Sequence, residues 1–384
     1  MFGLKKHYLL DPGITFLNHG SFGATPRPVF RAYQHWQKEL ETQPVEFLGR
    51  RITGLLQDAR SCLAEYLGAQ RDDLVFTSNV TMSLNIVARS LDLGPGDEVL
   101  ASDHEYGAMD RTWRFLARER GFAYLRQPIP VPLSTTEAFL AELWKGVTPR
   151  TRVIFLSHIT SPTALIFPVE AVVRRARQAG ILSVIDGAHV PGQLALDLDA
   201  LGADFYGGNL HKWLSAPKGA GFLHARADVQ PLLKPLVVSW GYESETPGPS
   251  SFVDQHEWWG TRDMSAFLAV PDAIRFQREH DWGRVRTACH ELLRQAQAQI
   301  EELTGLPPFH PDEPAWSCQM AGTPLPARMD VLSLKRRLYE EYRIEIPVID
   351  WNGRKLLRMS AQGYNTRADF SRLLAALRTL LSEG

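Results

Sequence analysis

Between Leu74 and Arg226, short apolar runs alternate with stretches of helical spacing, and this limits the fold more than any other feature of the 384-residue chain. The runs are Leu74 to Thr77, Asp97 to Ala101, Phe122 to Gln127, Arg152 to Ser157, Ile181 to Ile185, Ala203 to Tyr206 and Gly219 to His224. Helical spacing falls between them at Met82 to Leu91, Ala108 to Arg120, Thr136 to Val147 and Val169 to Gln178. Short, nearly continuous apolar runs suit strands covered on both faces. Their alternation with helices predicts an α/β fold with a mostly parallel, seven-stranded sheet and helices on both faces. From about Met264 the pattern changes. Two amphipathic helices (Ser265 to Arg278, Trp282 to Leu303) and a Pro-rich stretch precede strands and helices in mixed order, which predicts a smaller α+β domain. We divide the chain into an irregular segment 1–30, a large domain 31–263 and a small C-terminal domain 264–384.

Charged residues make up 22% of the chain and the formal net charge is −1, so no strong field draws it to nucleic acid or to an anionic membrane. No apolar run reaches transmembrane length, and the first residues lack the apolar core of a signal peptide. Three cysteines, Cys62, Cys289 and Cys318, do not make a disulfide framework in a chain this long. A cytoplasmic protein is expected, with no membrane or nucleic-acid partner, and we assign no metal ligands.

The chemistry concentrates in Asp204 to Arg226. There Lys212 sits among His211, Trp213 and Leu214, after Gly207 and Gly208. A lysine held against apolar neighbours loses its charge more easily, and a free amine can form a Schiff base with an aldehyde. A surface-loop lysine is the plainer reading. Upstream, the run Ile181 to Ile185 delivers Asp186 to the carboxyl end of a strand, where open α/β sheets bind ligands. A carboxylate buried there needs a positive partner, such as the protonated pyridine nitrogen of pyridoxal 5'-phosphate (PLP). An Asp capping the next helix is the rival reading. The strand Leu74 to Thr77, the polar loop Ser78 to Thr81 and the helix from Met82 present backbone N–H groups to an anion, and no dinucleotide or triphosphate motif is present. A single phosphate fits, and so does an ordinary N-cap at Asn79 or Thr81. Lys218 is the rival lysine, at a turn in Ala-Pro-Lys-Gly-Ala-Gly.

These pieces, in order with Leu17 to Gly23, Asp103 to Gly107, Ser157 to Thr163, Gly260 to Asp263 and Tyr364 to Thr366, resemble the class V aminotransferase and cysteine desulfurase superfamily, PLP enzymes of fold type I. Within it the chain looks most like the isopenicillin N epimerase group. The resemblance implies that Val80, Thr81, Asn209 and His211 hold the phosphate and that Asp186 meets the pyridine nitrogen. It implies that His104 stacks on the ring, with Tyr106 as the fallback, and serves as a catalytic residue beside Lys212. Ser161 falls where desulfurases carry an asparagine at the phenolic oxygen. That contact then stays with Ser161 or passes to Thr163 or His189. Thr261 would reach the phosphate of a partner in a homodimer. Asn18, Gly20 and Ser21 would touch substrate at the mouth, and Arg358 would bind its α-carboxylate, with Arg354 as the nearest rival. Residues 241–252 read as a lid, Trp258 and Trp259 as core or interface anchors, and Arg262 as a partner for a distal carboxylate or a structural Asp. Desulfurases of this superfamily carry a nucleophilic cysteine on a loop before that arginine. Here Glu345 to Arg354 has none, and Cys318 lies far upstream.

The implied function is chemistry at the α-carbon of an amino acid or aminoacyl substrate through a Lys212 Schiff base. Epimerisation is the first expectation, with Tyr106 or Tyr364 as the second acid. A β-eliminating carbon–sulfur lyase or an aminotransferase is the alternative, and a non-catalytic PLP-binding protein is the remaining one.

Overall fold

The computed structural model describes residues 3–383, so the first two residues of the N-terminal segment lie outside it. Twelve strands are present: β1 (Thr15–Phe16), β2 (Leu74–Thr77), β3 (Glu98–Ser102), β4 (Ala123–Gln127), β5 (Thr151–Ser157), β6 (Leu182–Gly187), β7 (Phe205–Asn209), β8 (Gly221–Ala225), β9 (Met320–Leu325), β10 (Ile344–Glu345), β11 (Val348–Trp351) and β12 (Arg354–Ser360). The central sheet has seven strands in the order β2-β8-β7-β6-β5-β3-β4. Only β8 runs against the others, so the sheet is mixed and mostly parallel.

Alternate residues of each strand feed different cores, as period-two geometry requires. Leu100, Ile154 and Leu156 join one apolar cluster, while Val99, Ala101, Val153 and Phe155 join another on the opposite face. Helices therefore cover both faces, and the interior strands read as continuous apolar runs. At the sheet edge, β4 is only partly covered.

One boundary differs from the sequence expectation. Gly207, Gly208 and Asn209 belong to β7 rather than to a loop. A Cβ on Gly208 would lie 2.3 Å from the Phe222 ring, and one on Gly207 would press on Val80, Ser83 and Leu84. The glycines let the helix Val80–Ser90 and β8 close on β7, so here they mark close packing and not a turn.

The C-terminal part forms a separate three-stranded antiparallel sheet, ordered β11-β12-β9. The N-terminal segment is more regular than expected. It carries β1, which pairs in parallel with β10, and a one-turn helix, His19–Phe22. Hydrogen bonds from Ser360 N–H to the Leu17 carbonyl and from Gly20 N–H to Ser360 Oγ bind it to the end of β12. The chain's two ends thus meet over the carboxyl ends of the parallel strands. Among the described residues, no helix is long and apolar enough to cross a membrane.

Candidate active site

A cavity of about 520 Å³ opens at the carboxyl ends of the central strands, within the size range of small-molecule sites. Its lining includes Ser21, Thr81, Tyr106, Ser161, Asp186, His189 and Lys212, residues spread over six separate stretches of sequence.

The chemistry lies at the ends of β6 and β7. Asp186, one residue before the end of β6, is buried, and its Oδ1 accepts the Ala188 N–H at 2.9 Å. Its Oδ2 has no hydrogen-bond partner, and burial raises its pKa. A buried carboxylate oxygen without a donor is costly. An N–H cation placed at Oδ2 from the cavity removes that cost.

Lys212 follows β7 in a loop braced by the N-terminal segment. Gly23 has φ +70° and a Cβ there would lie 2.1 Å from the His211 carbonyl, so the two backbones touch. Burial holds the Lys212 amine down at about 7, against the opposing pull of Asp186. The hydrogen bonds give the same protonation state. Trp213 Nε1–H, which can only donate, reaches His189 Nδ1 at 3.3 Å. The buried His189 ring is held neutral, its pKa lowered first by burial, so its single proton is on Nε2. That proton faces Lys212 Nζ at 3.2 Å. A deprotonated Nζ can accept it with a lone pair, so the contact favours the uncharged amine. The rival Lys218 also lines the cavity but donates to the Gly23 carbonyl at 3.0 Å.

The anion end is the start of helix Val80–Ser90. Asn79 is the N-cap, accepting from Met82 N–H at 3.0 Å. Asn209 Oδ1 takes the Val80 N–H at 2.9 Å, which joins the end of β7 to the helix start. The Thr81 N–H has no acceptor among the described residues and is the amide left to an oxyanion. His211 donates from Nδ1 to the Ala220 carbonyl at 3.1 Å and leaves Nε2 open.

A second wall joins distant segments, with Ser21 and Ser161 in the lining and Arg358, absent from the lining, directly behind them. Arg358 is buried, and its Nη1 donates to the Ser161 carbonyl at 2.6 Å and to Ser161 Oγ at 3.3 Å. Its Nη2 donates to Ser21 Oγ at 3.0 Å, and its Nε has no partner. No carboxylate pairs with this guanidinium among the described residues, and burial lowers its pKa to about 10. Arg354, the rival, lies at the start of β12 and is exposed.

Several expected residues stand elsewhere. His104 is sealed from the cavity. Its Nδ1 bonds Thr163 Oγ1 at 2.8 Å, its Nε2 the Ile129 carbonyl at 2.9 Å, and its ring packs on Trp351 with centroids 4.2 Å apart. With both nitrogens engaged and apolar cover on the ring, it is a structural histidine. Tyr106, the fallback, lines the cavity instead. Thr163 is tied to His104 and Thr160, so of the two alternatives to Ser161 only His189 reaches the cavity. Tyr364 is buried against Tyr8, with its hydroxyl 2.9 Å from His19 Nδ1, outside the cavity lining. Asn18 and Gly20 lie behind the lining. Asn18 accepts from Ser21 Oγ at 2.5 Å and donates to Glu345, so it positions Ser21. Thr261 is exposed, beyond the cavity.

Phe22 and Ser157 line the cavity without having been expected there. Phe22 directly follows Ser21, and Ser157 ends β5, where the rule that ligands sit beyond strand ends could have found it. Cys318 bonds the Gln193 carbonyl through Sγ, and burial raises its thiol to about 11, so it lacks the exposure and low pKa of a reactive cysteine.

The comparisons agree with this geometry. The aminotransferase class-V family model matches residues 16–346. Isopenicillin N epimerase of Amycolatopsis lactamdurans is 40% identical, over 98% of this chain and 97% of the relative. A putative L-cysteine desulfhydrase of Oryza sativa subsp. japonica is 29% identical, over 97% and 84%. The structure of a cysteine desulfurase from Thermococcus onnurineus NA1 superposes with a TM-score of 0.85 at 20% identity, over 99% and 98%, and shows the shared fold. With a partnerless Asp186 oxygen, an uncharged Lys212 amine and a free helix-start amide in one cavity, the chain belongs to the aminotransferase class-V family of enzymes, and PLP is the cofactor its site accommodates.

Proposed function

We propose that the chain catalyses epimerisation at the α-carbon of an amino acid or aminoacyl substrate. One observation carries this reading: the Lys212 amine, 3.2 Å from His189, shares one cavity with the partnerless Asp186, and an arginine without a carboxylate stands behind the lining residues Ser21 and Ser161. Bound through its aldehyde to Lys212, PLP supplies an electron sink for the α-carbon. Asp186 Oδ2 would keep the cofactor's ring nitrogen protonated. The Thr81 N–H, Asn209 and His211 would hold the phosphate. Arg358, aimed by Ser21 and Ser161, would bind the substrate carboxylate. Once the substrate amine has displaced it from the cofactor, the free Lys212 Nζ would take the α-proton on one side. Tyr106 is the hydroxyl we assign to return one on the other.

The active unit would be a homodimer, with Thr261 reaching the partner's phosphate. Exposed apolar side chains support a partner face: Val238 and Trp240 are 66% and 85% exposed. Its three cysteines are free thiols, which suits a reducing, cytoplasmic setting. The organisation into segment 1–30 and domains 31–263 and 264–384 is part of the same proposal. A second reading, a β-eliminating carbon–sulfur lyase, has support in the desulfhydrase relative that spans 97% of the chain.

The test is incubation of single-enantiomer substrates in heavy water. Deuterium at the α-carbon with loss of optical purity supports epimerisation. Pyruvate and ammonium released from cysteine conjugates, without inversion, sink it in favour of elimination.

A further inference from the structure

At the other end of the sheet, three donors converge that no part of the cofactor chemistry uses. Asp73 closes the short turn Arg71–Asp73 before β2, Asp199 lies on the short helix Leu198–Leu201 between β6 and β7, and His224 is on β8 opposite Leu74 and Tyr206. One ligand atom from each lies within 4.8 Å of the others. His224 is 2% exposed, yet neither of its ring nitrogens has a hydrogen-bond partner. A buried imidazole bonded to nothing is rare, and here it faces two carboxylates.

The carboxylates are already oriented. Gln230 Nε2 donates to Asp73 Oδ1 at 2.6 Å, and Gln70 Nε2 donates to Asp199 Oδ2 at 3.1 Å. The other oxygen of each has no protein donor among the described residues. Such bonds to one oxygen are how ligating carboxylates are held in known metal sites. Arg71 and Arg226, adjacent in sequence to Asp72 and Ala225, are taken up by Asp72 and by Asp204 and Asp228. Among the described residues, no cation is paired with Asp73 or Asp199 beside this imidazole.

We propose that Asp73, Asp199 and His224 bind one divalent first-row transition cation, zinc foremost. An imidazole with two carboxylates favours zinc over magnesium or calcium, which take oxygen ligands. Bonds of about 2.0–2.2 Å require the donors to close by less than about an ångström. The three ligands leave room for a water. The cation would tie the connection between β6, which carries Asp186, and β7, which leads to Lys212, to the edge of the sheet. Its role is structural, since Thr77 and Gly221 mark the cavity ends of the same strands. Positions 73, 199 and 224 form no spacing motif, and only the fold brings them together.

The test uses PLP-loaded, chelator-stripped protein titrated with zinc chloride against a chromophoric indicator, followed by thermal scans in zinc and in magnesium. One zinc per chain is expected, with a Tm rise of about 4 °C at a hundredfold excess over Kd, no rise with magnesium, and an unchanged cofactor spectrum. Asp199→Asn, at an exposed position, should bind at least tenfold more weakly and lose most of the Tm rise. His224→Gln should do the same. Equal zinc binding by wild type and Asp199→Asn would place the metal on thiols or in the cavity and overturn the site. Absence of binding, with the His224 ring titrating by NMR as a proton acceptor, would overturn it too.

Discussion

The cavity has two walls of opposite construction. Asp186, His189 and Lys212 come from the ends of two neighbouring parallel strands, within 27 residues of sequence, with Lys212 in direct contact with His189. The wall of Ser21 and Ser161, backed by Arg358, joins segments 337 and 197 residues apart, from the N-terminal segment, the loop after β5 and β12. The first wall sets protonation states, because burial and fixed hydrogen bonds act on groups whose spacing the sheet dictates. The second offers one fixed positive charge whose position depends on how the chain's ends are packed. Chemistry and recognition are thereby separated, and substitutions on the two walls should fail in different ways.

The largest effect falls on the first wall. Lys212→Ala should lower turnover on the order of 10⁴-fold and leave no cofactor bond to trap. Borohydride reduction with peptide mass mapping checks it. A pyridoxyl adduct on Lys218 in the wild type would move the chemistry to the lysine that we place on the Gly23 carbonyl. Asp186→Asn should weaken cofactor retention on the order of 10²–10³-fold, the consequence of removing one member of a buried charge pair. The cofactor-free protein should respond in the opposite sense. Asp186 has its carboxyl raised by burial, so above that raised value its ionised form costs stability, and below the ordinary carboxylate range the cost is absent. The Asn variant should therefore melt higher than the wild-type apoprotein at pH 8, with a smaller gain at pH 4. A lower Tm at both would mean that Oδ2 has a role within the fold itself.

On the second wall, Arg358→Gln should raise KM on the order of 10²-fold and change kcat by less than about tenfold. Substrates with the α-carboxylate converted to an amide should lose their preference for the wild type. A fall in kcat as large as the rise in KM would erase the distinction between the walls.

That asymmetry also explains what the sequence revealed. The sheet was readable because each strand is buried on both faces and so carries a near-continuous apolar run, and Asp186 and Lys212 were readable because they terminate such runs. His104 was misplaced because the residue next along the same turn, Tyr106, faces the cavity. Which of two aromatics two positions apart points inward depends on Trp351, Thr163 and Ile129, none of them near in sequence. The glycines of β7 looked like a loop because composition does not report that Phe222 and Val80 press on them. Arg358 was reached only through resemblance. Its partners Ser21 and Ser161 are ordinary serines until the fold brings them together.

The smallest predicted effect is also the most specific to the first wall. The Lys212 amine titrates at about 7, so capture of added PLP by the apoprotein should speed up nearly tenfold per pH unit below 7 and level off above it. Stability follows the same group. Between about 7 and the ordinary lysine range the unfolded chain carries a proton that the folded chain does not, so apoprotein stability rises with pH across that window, and Lys212→Met should flatten the rise. His189 tunes the midpoint. Its Nε2–H supports the uncharged amine, and one hydrogen bond of ordinary strength corresponds to less than about one pKa unit. His189→Leu should move the midpoint of PLP capture upward by up to that amount, while His189→Gln, which keeps an N–H donor at the same reach, should leave it nearly in place. If both variants shift it equally, the position matters through packing on Trp213 and not through the proton on Nε2, and the tautomer assigned from the Trp213 bond is wrong.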